Sequence, residues 1–346
     1  MRIVHCIWSL NTGGAETMLV DIANEQAKSH EVYVVVVNDS FEPGIAAKLS
    51  PEVKVIFNGR KPDTRSPWPF VKLNWTLLRL RPDIVHMHNY ALSRVILPAA
   101  SRGLFLTVHA LQIPVESVRR GVRMIAISDA VKSDVQSRSS HKVRTIPNGI
   151  DLGSIEKRKP VPFGGTMRIV QVARLCTDKK GQDILVGALA LLANKGLRDI
   201  EVDFIGCGPS LEILQKQAAA LGVAERVNFL GLRDRAYIYS NLKDYDLMCH
   251  PARYEGFGLT VAEGIAAMLP VLVSDDGGPY EIIDRGKLGK AFKMESVEDC
   301  AAKIEYIHSH YQEVLAQTPE AYEKVKSRYS VQSMVEGYMD YYKTAL

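Results

Sequence analysis

Two glutamates eight residues apart, Glu255 and Glu263, bracket a glycine-rich turn in the stretch RYEGFGLTVAEG, residues 253–264. Such a pair could hydrolyse a bond, decorate a solvated helix face, or grip hydroxyls beside a bound anion. The string reads as a turn through Gly256, Phe257 and Gly258, running into a helix that opens with Leu259 and Thr260. Gly256 and Gly258 allow close backbone approach to a ligand, and the free amides near Gly258–Thr260 form an anion site at the helix start. Glu263 then lies roughly 6 Å further along the axis. A bare anion would be repelled by both carboxylates. A ligand offering a diphosphate to the amides and hydroxyls to the carboxylates suits all three. The competing reading, with Glu263 complementing the helix dipole and Glu255 solvated, stays open on this string alone.

A second stretch, IVQVARLCTDKKGQDILVGAL, residues 169–189, decides between them. It reads as a strand ending in Arg174, a loop with Lys179 and Lys180, and a helix opening near Gly181. An arginine fork and a lysine point charge at one strand–helix junction are what a diphosphate needs. Solvated lysines are the ordinary alternative; the shared position at junctions of one sheet favours phosphate. Hydrolysis by Glu255 and Glu263 is disfavoured, because a glycosidase sets its carboxylates on opposite sides of one bond.

Other side chains carry weaker signals. His109 ends the run LFLTVH, where a hydrogen-bonded structural histidine is the usual finding. His86 and His88 share a strand face, but with no third ligand near in sequence a metal site is not expected. Gly13 and Gly14 in NTGGAE mark either an anion site before a helix or a close packing point. The DYD at 244–246 leads into an apolar strand from its entrance, away from the carboxyl end, so a metal-binding D-x-D is rejected. The basic EKRKP, 156–160, reads as a solvated linker that could touch anionic lipid.

These residues need a scaffold that brings strand ends together. Apolar, β-branched runs (IVHCIW, EVYVVVV, VKVIF, DIVHMH, LFLTVH, RMIAIS) alternate with amphipathic stretches, the first helix spanning about Ala15 to Lys28. A second series, MRIVQVAR, DIEVDFIG, RVNFLG, YDLMCHP and LPVLVS, follows the stretch KRKPVPFGG at 157–165. Strands this continuously apolar belong to parallel sheets covered on both faces. The fold class is α/β, with two Rossmann-like doubly wound domains facing a cleft. The expected boundaries are 1–157, 158–328, and a C-terminal helix over 329–346, amphipathic through Met334, Tyr338, Tyr341 and Tyr342, that packs back on the first domain.

Composition narrows the class further. A chain of 346 residues exceeds one ordinary core, and its net charge of +4 argues for neither nucleic acid nor a lipid surface as partner. Five scattered cysteines without CxxC spacing suit a reducing compartment. No signal peptide or membrane span is evident, so a cytoplasmic protein is expected.

In order and spacing, the motifs resemble those of family-4 retaining glycosyltransferases with the GT-B fold, over nearly the whole chain. The E-x7-E motif of that family matches Glu255 and Glu263, and its R…KG donor-phosphate motif matches Arg174 and Lys180, with Gly181 following and Lys179 as the neighbouring candidate. FIGCGP, with Gly206 and Gly208, is similar to the family's Gly-rich turn, and NFLGL, ending in Leu232, to its segment beside the nucleotide base. NTGGAE, TVHA, IAIS and IPNGID are similar to first-domain signatures. The resemblance implies that Glu255 contacts donor-sugar hydroxyls and Glu263 the ribose, that His109 lies near the donor sugar, and that Gly13 and Gly14 border phosphate and acceptor. His250 departs from the family pattern, which favours a small or hydroxylated residue there.

The implied activity is retaining, metal-independent transfer of a hexosyl group from a nucleotide diphosphate sugar, UDP slightly ahead of GDP. The acceptor would be a hydroxyl on a sugar or lipid-linked glycan, in bacterial surface polysaccharide or lipid-linked glycan synthesis. No cofactor beyond the donor substrate is expected, nor a nucleic-acid partner; a peripheral contact at the inner face of the membrane is compatible. The alternatives are a nucleotide-sugar epimerase on the same double fold and a non-enzymatic nucleotide or sugar binder.

Overall fold

The structure, a computed structural model, describes residues 1–11, 13–161 and 163–346. Thr12 of the NTGGAE motif and Pro162 of the basic linker stretch lie outside the described residues. Contacts divide the chain into two compact units, Met1–Gly149 with Ser330–Leu346, and Ile150–Tyr329.

The first unit is built on seven strands: β1 (Arg2–Ile7), β2 (Glu31–Asn38), β3 (Lys54–Arg60), β4 (Ile84–Met87), β5 (Gly103–Val108), β6 (Arg123–Ala126) and β7 (Val143–Thr145). They form one parallel sheet in the order β3-β2-β1-β4-β5-β6-β7. Every residue of β4 and β5 is buried, which is why those runs read as continuously apolar instead of alternating. The winding direction reverses between β1 and β4, so the loops leaving these two strands open a crevice at the sheet's carboxyl edge.

The C-terminal helix, Val331–Lys343, belongs to this unit. Its Ser330 cap accepts from Ser333 N, and its stripe of Met334, Val335, Tyr338 and Tyr342 is buried. A buried phenol needs a partner. Tyr338 OH meets Thr107 Oγ1 at 3.1 Å, and Tyr342 OH meets His86 Nδ1 at 2.5 Å.

The second unit carries β8 (Met167–Val172), β9 (Ile200–Ile205), β10 (Val227–Gly231), β11 (Leu247–His250), β12 (Val271–Ser274) and β13 (Lys290–Phe292), in the order β10-β9-β8-β11-β12-β13. This too is a doubly wound parallel sheet, with its reversal between β8 and β11. The helices Gln182–Asn194 and Val297–Ser309 bury Leu185, Leu189, Leu192 and Ile304 against Ile200, Phe204 and Leu247. Among the described residues no helix is long and apolar enough to cross a membrane.

The boundary differs from the expected break at 157/158. The chain passes between units at Gly149/Ile150, and residues 150–157 belong to the second. Ile150 N donates to Tyr329 O at 2.7 Å, and Glu156 N to Tyr239 O at 3.1 Å. Tyr329 accordingly ends the second unit, and the C-terminal segment of the first unit starts at Ser330, one residue later than expected. The basic stretch is solvated at Glu156, Lys157 and Lys159, as expected, but it does not link the units, and Arg158 is not solvated. Arg158 N donates to Ala267 O at 2.9 Å, and its guanidinium pairs with the Asp246 carboxylate, both side chains only 8% exposed. Asp246 also accepts from Arg168 N at 2.8 Å. The second aspartate of the DYD is therefore an internal counter-ion. Composition suggested linker because it cannot reveal a carboxylate 88 residues away.

Removing one partner of a buried pair strands the other charge. Arg158→Ala is expected to destabilise the protein by about 3 kcal/mol, measured by urea unfolding. A loss within experimental error would mean that Asp246 is held by the Arg168 amide alone.

Candidate active site

The carboxyl edge of the second sheet gathers the loops leaving β8 and β11. Gly181 makes their meeting possible. Its φ is +64°, and a Cβ there would fall 1.8 Å from Pro251 O, so only glycine lets the β8 loop rest on the chain leaving β11. Gln171 Nε2 donates to Lys180 O at 2.8 Å, while Arg253 N and Tyr254 N both donate to Lys179 O at 3.0 Å. With the backbone clamped this way the two lysines diverge. Lys180 Nζ reaches Glu255 Oε2 at 2.5 Å, whereas Lys179 stands 5.9 Å from the centre of the Tyr254 ring.

Glu255 is the electrostatic centre of this edge. Burial pushes its carboxyl up. The imidazole of His250 and the positive charge of Lys180 outweigh that and hold it at about 2. His250 Nε2 is 3.4 Å from Oε2, long for a hydrogen bond, so we attribute most of the attraction to Lys180. His250 itself is 2% exposed, and neither ring nitrogen has a hydrogen-bond partner among the described residues. Glu255 thus stays ionised through any physiological pH while keeping 21% of its side chain open to solvent.

Gly258, at φ +94°, precedes the helix Leu259–Ala266. Phe257 is buried against the edge of the Tyr329 ring, and Gly278 packs so tightly that a Cβ would fall 2.4 Å from Phe257 Cα. The turn Gly256–Gly258 is thereby fixed, with Leu259 and Thr260 as the first helical residues. Glu263 is buried and accepts from Tyr239 OH at 3.2 Å. Its carboxylate thus has Tyr239 as a partner, whereas that of Glu255 has Lys180.

Arg174 follows β8, exposed, and its guanidinium has no partner among the described residues; Gln182 Nε2 donates to its carbonyl at 3.0 Å. Gly206 and Gly208 do backbone work. A Cβ on Gly206 (φ +145°) would fall 2.0 Å from Ala173 O, and one on Gly208 2.2 Å from Leu175 O. They press the β9 loop onto the segment holding Arg174. Leu232, just past β10, is 68% exposed.

In the first unit, His109 follows β5 as the end of a row of imidazoles. Gln26 Oε1 lies 2.8 Å from His5 Nε2, His5 Nδ1 lies 3.0 Å from His88 Nε2, and His88 Nδ1 lies 3.1 Å from His109 Nε2. Burial lowers His5 and His109 to about 4. Burial, reinforced by the neighbouring imidazoles, also holds His86 and His88 well below the usual histidine value. All four are neutral near pH 7, and a neutral imidazole has one donor and one acceptor. With the Gln26 oxygen accepting from His5 Nε2–H, each following ring donates through Nε2, leaving the His109 Nδ1 lone pair as the row's outer terminus.

The sequence showed only two of the three histidines that now offer ring nitrogens within 4.8 Å: His5 joins His86 and His88. The geometry suits hydrogen bonding better than metal. Both ring nitrogens of each are already engaged, those of His86 by Tyr342 and Thr107, those of His88 by His5 and His109, and those of His5 by Gln26 and His88. Gly13 precedes the helix Gly14–Ala27, but a Cβ there would fall 2.4 Å from Glu16 Oε2. The chain's own carboxylate therefore lies at this helix start, where an external anion was one expectation. Gly14 is open, with nothing within 4 Å of a built Cβ.

Two family models match in tandem: "Glycosyltransferase Family 4" over residues 12–154 and "Glycosyl transferases group 1" over 154–324. The chain is a family-4 glycosyltransferase with the GT-B fold. Its similarity to a GDP-mannose-dependent alpha-(1-6)-phosphatidylinositol monomannoside mannosyltransferase of Mycobacterium tuberculosis is 29% identity over 174 residues, covering 46% of this chain and 45% of that protein. A phosphatidyl-myo-inositol mannosyltransferase of Mycolicibacterium smegmatis is 27% identical over 64% of this chain and 61% of its own length. The chain thus spans about half the length of the first of these relatives. In fold it is similar to Anabaena HepE solved in complex with UDP, with a TM-score of 0.83, 20% identity, and coverage of 99% of this chain and 100% of that one.

The family-4 chain also has a cavity of about 720 Å³ lined by Arg120, Arg123, Arg138, His141 and Lys142. It lies at the entrances of β6 and β7, the amino edge of the first sheet, where doubly wound folds do not place their ligands.

The depressed Glu255 has a measurable consequence. A carboxyl held below its unfolded value stabilises the fold above that value and ceases to do so as pH falls through the folded one. The advantage of wild type over Glu255→Gln in thermal unfolding should be full above pH 4.5 and disappear between 4.5 and about 2. A pH-independent difference would remove the ion pair as the cause.

Proposed function

We propose that the chain is a retaining, metal-independent hexosyltransferase using a nucleotide diphosphate sugar. The observation that carries this reading is the Lys180–Glu255 pair at the switch point of the second sheet, beside the unpartnered Arg174. Arg174, Lys180 and the amides of Leu259 and Thr260 would take the diphosphate, whose charge two cations neutralise without a divalent ion. Lys180, drawn to phosphate, releases Glu255 to accept hydrogen bonds from donor-sugar hydroxyls. Glu263 would take the ribose, the exposed Leu232 would border the base, and His109 would face the donor sugar.

In the transfer, the bond from the anomeric carbon to the diphosphate oxygen breaks and a bond to the acceptor oxygen forms on the same face. The acceptor proton passes to the departing phosphate oxygen. Cationic stabilisation of that oxygen lowers the barrier. One named relative is a GDP-mannose-dependent phosphatidylinositol monomannoside mannosyltransferase, the other a phosphatidyl-myo-inositol mannosyltransferase, and HepE was solved with UDP. A lipid-linked glycan hydroxyl is the acceptor class these support, and a cytoplasmic location fits a nucleotide-sugar donor.

A thermal-shift series with UDP, GDP and their sugars identifies the donor, since a ligand of the folded state raises Tm. Arg174→Ala and Lys180→Ala should each lower nucleoside diphosphate release, in the presence of donor and a lipid-linked acceptor fraction, by about 10²–10³-fold. Proton NMR of the product should show the donor's anomeric configuration. Near-wild-type rates in both variants would overturn the phosphate assignment, and an inverted product would overturn retention.

A further inference from the structure

The helix Trp68–Leu80 in the first unit is amphipathic in both directions. Its inner face is anchored. Leu73 and Leu77 are buried, and Asn74 donates to Phe70 O and Val95 O, both at 2.8 Å, while accepting from Leu97 N at 2.8 Å. Its outer face carries a second apolar stripe. Trp68 is 68% exposed and Trp75 63%, with Val71 and Leu78 also exposed. The spacing of 3, 4 and 3 residues puts all four within roughly 80° of arc on a rod about 20 Å long. An isolated exposed hydrophobe means little. Two tryptophans and two aliphatics aligned away from a satisfied inner face form a surface built for a partner.

Charge identifies that partner. Between residues 60 and 81 there are six basic side chains (Arg60, Lys61, Arg65, Lys72, Arg79 and Arg81) and one acid, Asp63. This segment's excess of five positive charges is larger than the net +4 of the whole chain. Lys61, Arg65, Lys72, Arg79 and Arg81 are exposed, and none has a carboxylate partner among the described residues; Lys72 donates only to Asn58 O, at 2.8 Å. On the helix itself, Lys72 and Arg79 flank the stripe on one side. A second copy meeting this face would oppose the same positive charges, so self-association is disfavoured. An anionic lipid surface satisfies both features, since indole rings favour the bilayer interface and basic side chains its anionic headgroups.

We propose that this helix is a membrane-docking element that lies in the plane of an anionic bilayer with Trp68, Val71, Trp75 and Leu78 immersed at the headgroup boundary. Pro67 and Pro69 stiffen its start, and Arg81, at φ +47°, ends it before Pro82, so the stripe is presented as a preformed surface. The proposal goes beyond the transferase reading and gives it a setting, because a chain docked here would meet acceptors held in the membrane.

The test is co-sedimentation of the full chain with vesicles of phosphatidylcholine alone or with about a third phosphatidylglycerol, read alongside tryptophan emission. The chain has three tryptophans, of which Trp8 is half-buried, so emission reports largely on Trp68 and Trp75. Binding to the anionic vesicles with a blue shift is expected, weakened by salt and absent with phosphatidylcholine alone. Trp68→Ser with Trp75→Ser should lower the partition at least about tenfold, and Lys72→Glu with Arg79→Glu by a similar factor. Both pairs are exposed, so Tm and the thermal shift with nucleotide should be unchanged; that shift tests the donor site separately. Failure to bind anionic vesicles, or undiminished binding by both double variants, overturns the proposal. So does a dimer in sedimentation velocity that the tryptophan substitutions dissolve.

Discussion

The contact between Lys180 and Glu255 depends on Gly181 lying against the Pro251 carbonyl, and the candidate site is organised around it. For a lysine and a glutamate with only about a fifth of each side chain exposed, desolvation offsets much of the gain from pairing, although removing one partner strands the other. What the pair secures is orientation and charge state. The carboxylate remains ionised and the ammonium stays at the switch point of β8 and β11. Without a ligand, each is the other's counter-ion. On the proposed reading, a nucleotide diphosphate sugar supplies a phosphate for the ammonium and hydroxyls for the carboxylate, so binding exchanges one set of partners for another without stranding a charge. His250, buried with neither ring nitrogen hydrogen-bonded and 3.4 Å from the same carboxylate, is the group most affected by that exchange.

The first unit handles polarity differently. Its sheet is crossed by neutral histidines, not ions. Burial disfavours the imidazolium in each, and hydrogen bonding then dictates which nitrogen keeps its proton. Gln26 at one end sets a direction that passes through His5 and His88 to His109. The C-terminal helix participates through Tyr342 on His86 and Tyr338 on Thr107. That helix therefore completes the polar interior of the first unit, a stronger reason for its placement than apolar packing alone.

The strand–helix alternation was legible because parallel sheets demand continuous apolar runs, and the sites of Arg174, Lys180 and Glu255 were legible because such sheets put their loops at one edge. Long-range pairing was not. Nothing near Arg158 in the chain shows that Asp246 will neutralise it, and nothing near His86 and His88 shows that β1 will bring His5 between Gln26 and His88. Gly206 and Gly208 were recognised as a ligand turn, yet their immediate necessity is the backbone of Ala173 and Leu175. Local strings show which residues could act; they do not show which of them the fold has already committed to one another.

That distinction between committed and uncommitted charge runs through the whole chain. Arg158 is tied to Asp246, Arg168 to Asp203 at 3.0 Å, and Arg253 to Asp183 at 2.7 Å. These cations hold the second unit together and have no charge left for a ligand. Arg174 at the end of β8, and the basic cluster around the helix Trp68–Leu80, have no carboxylate among the described residues. An unpaired cation does not by itself mark a site for an outside anion, since other basic side chains on the surface also lack a carboxylate among the described residues; what stands beside it does. The surroundings then distinguish the two sites. Beside Arg174 are glycine turns and a carboxylate, suited to a compact ligand with hydroxyls. Beside Lys72 and Arg79 are exposed indoles, suited to an extended interface that is partly apolar.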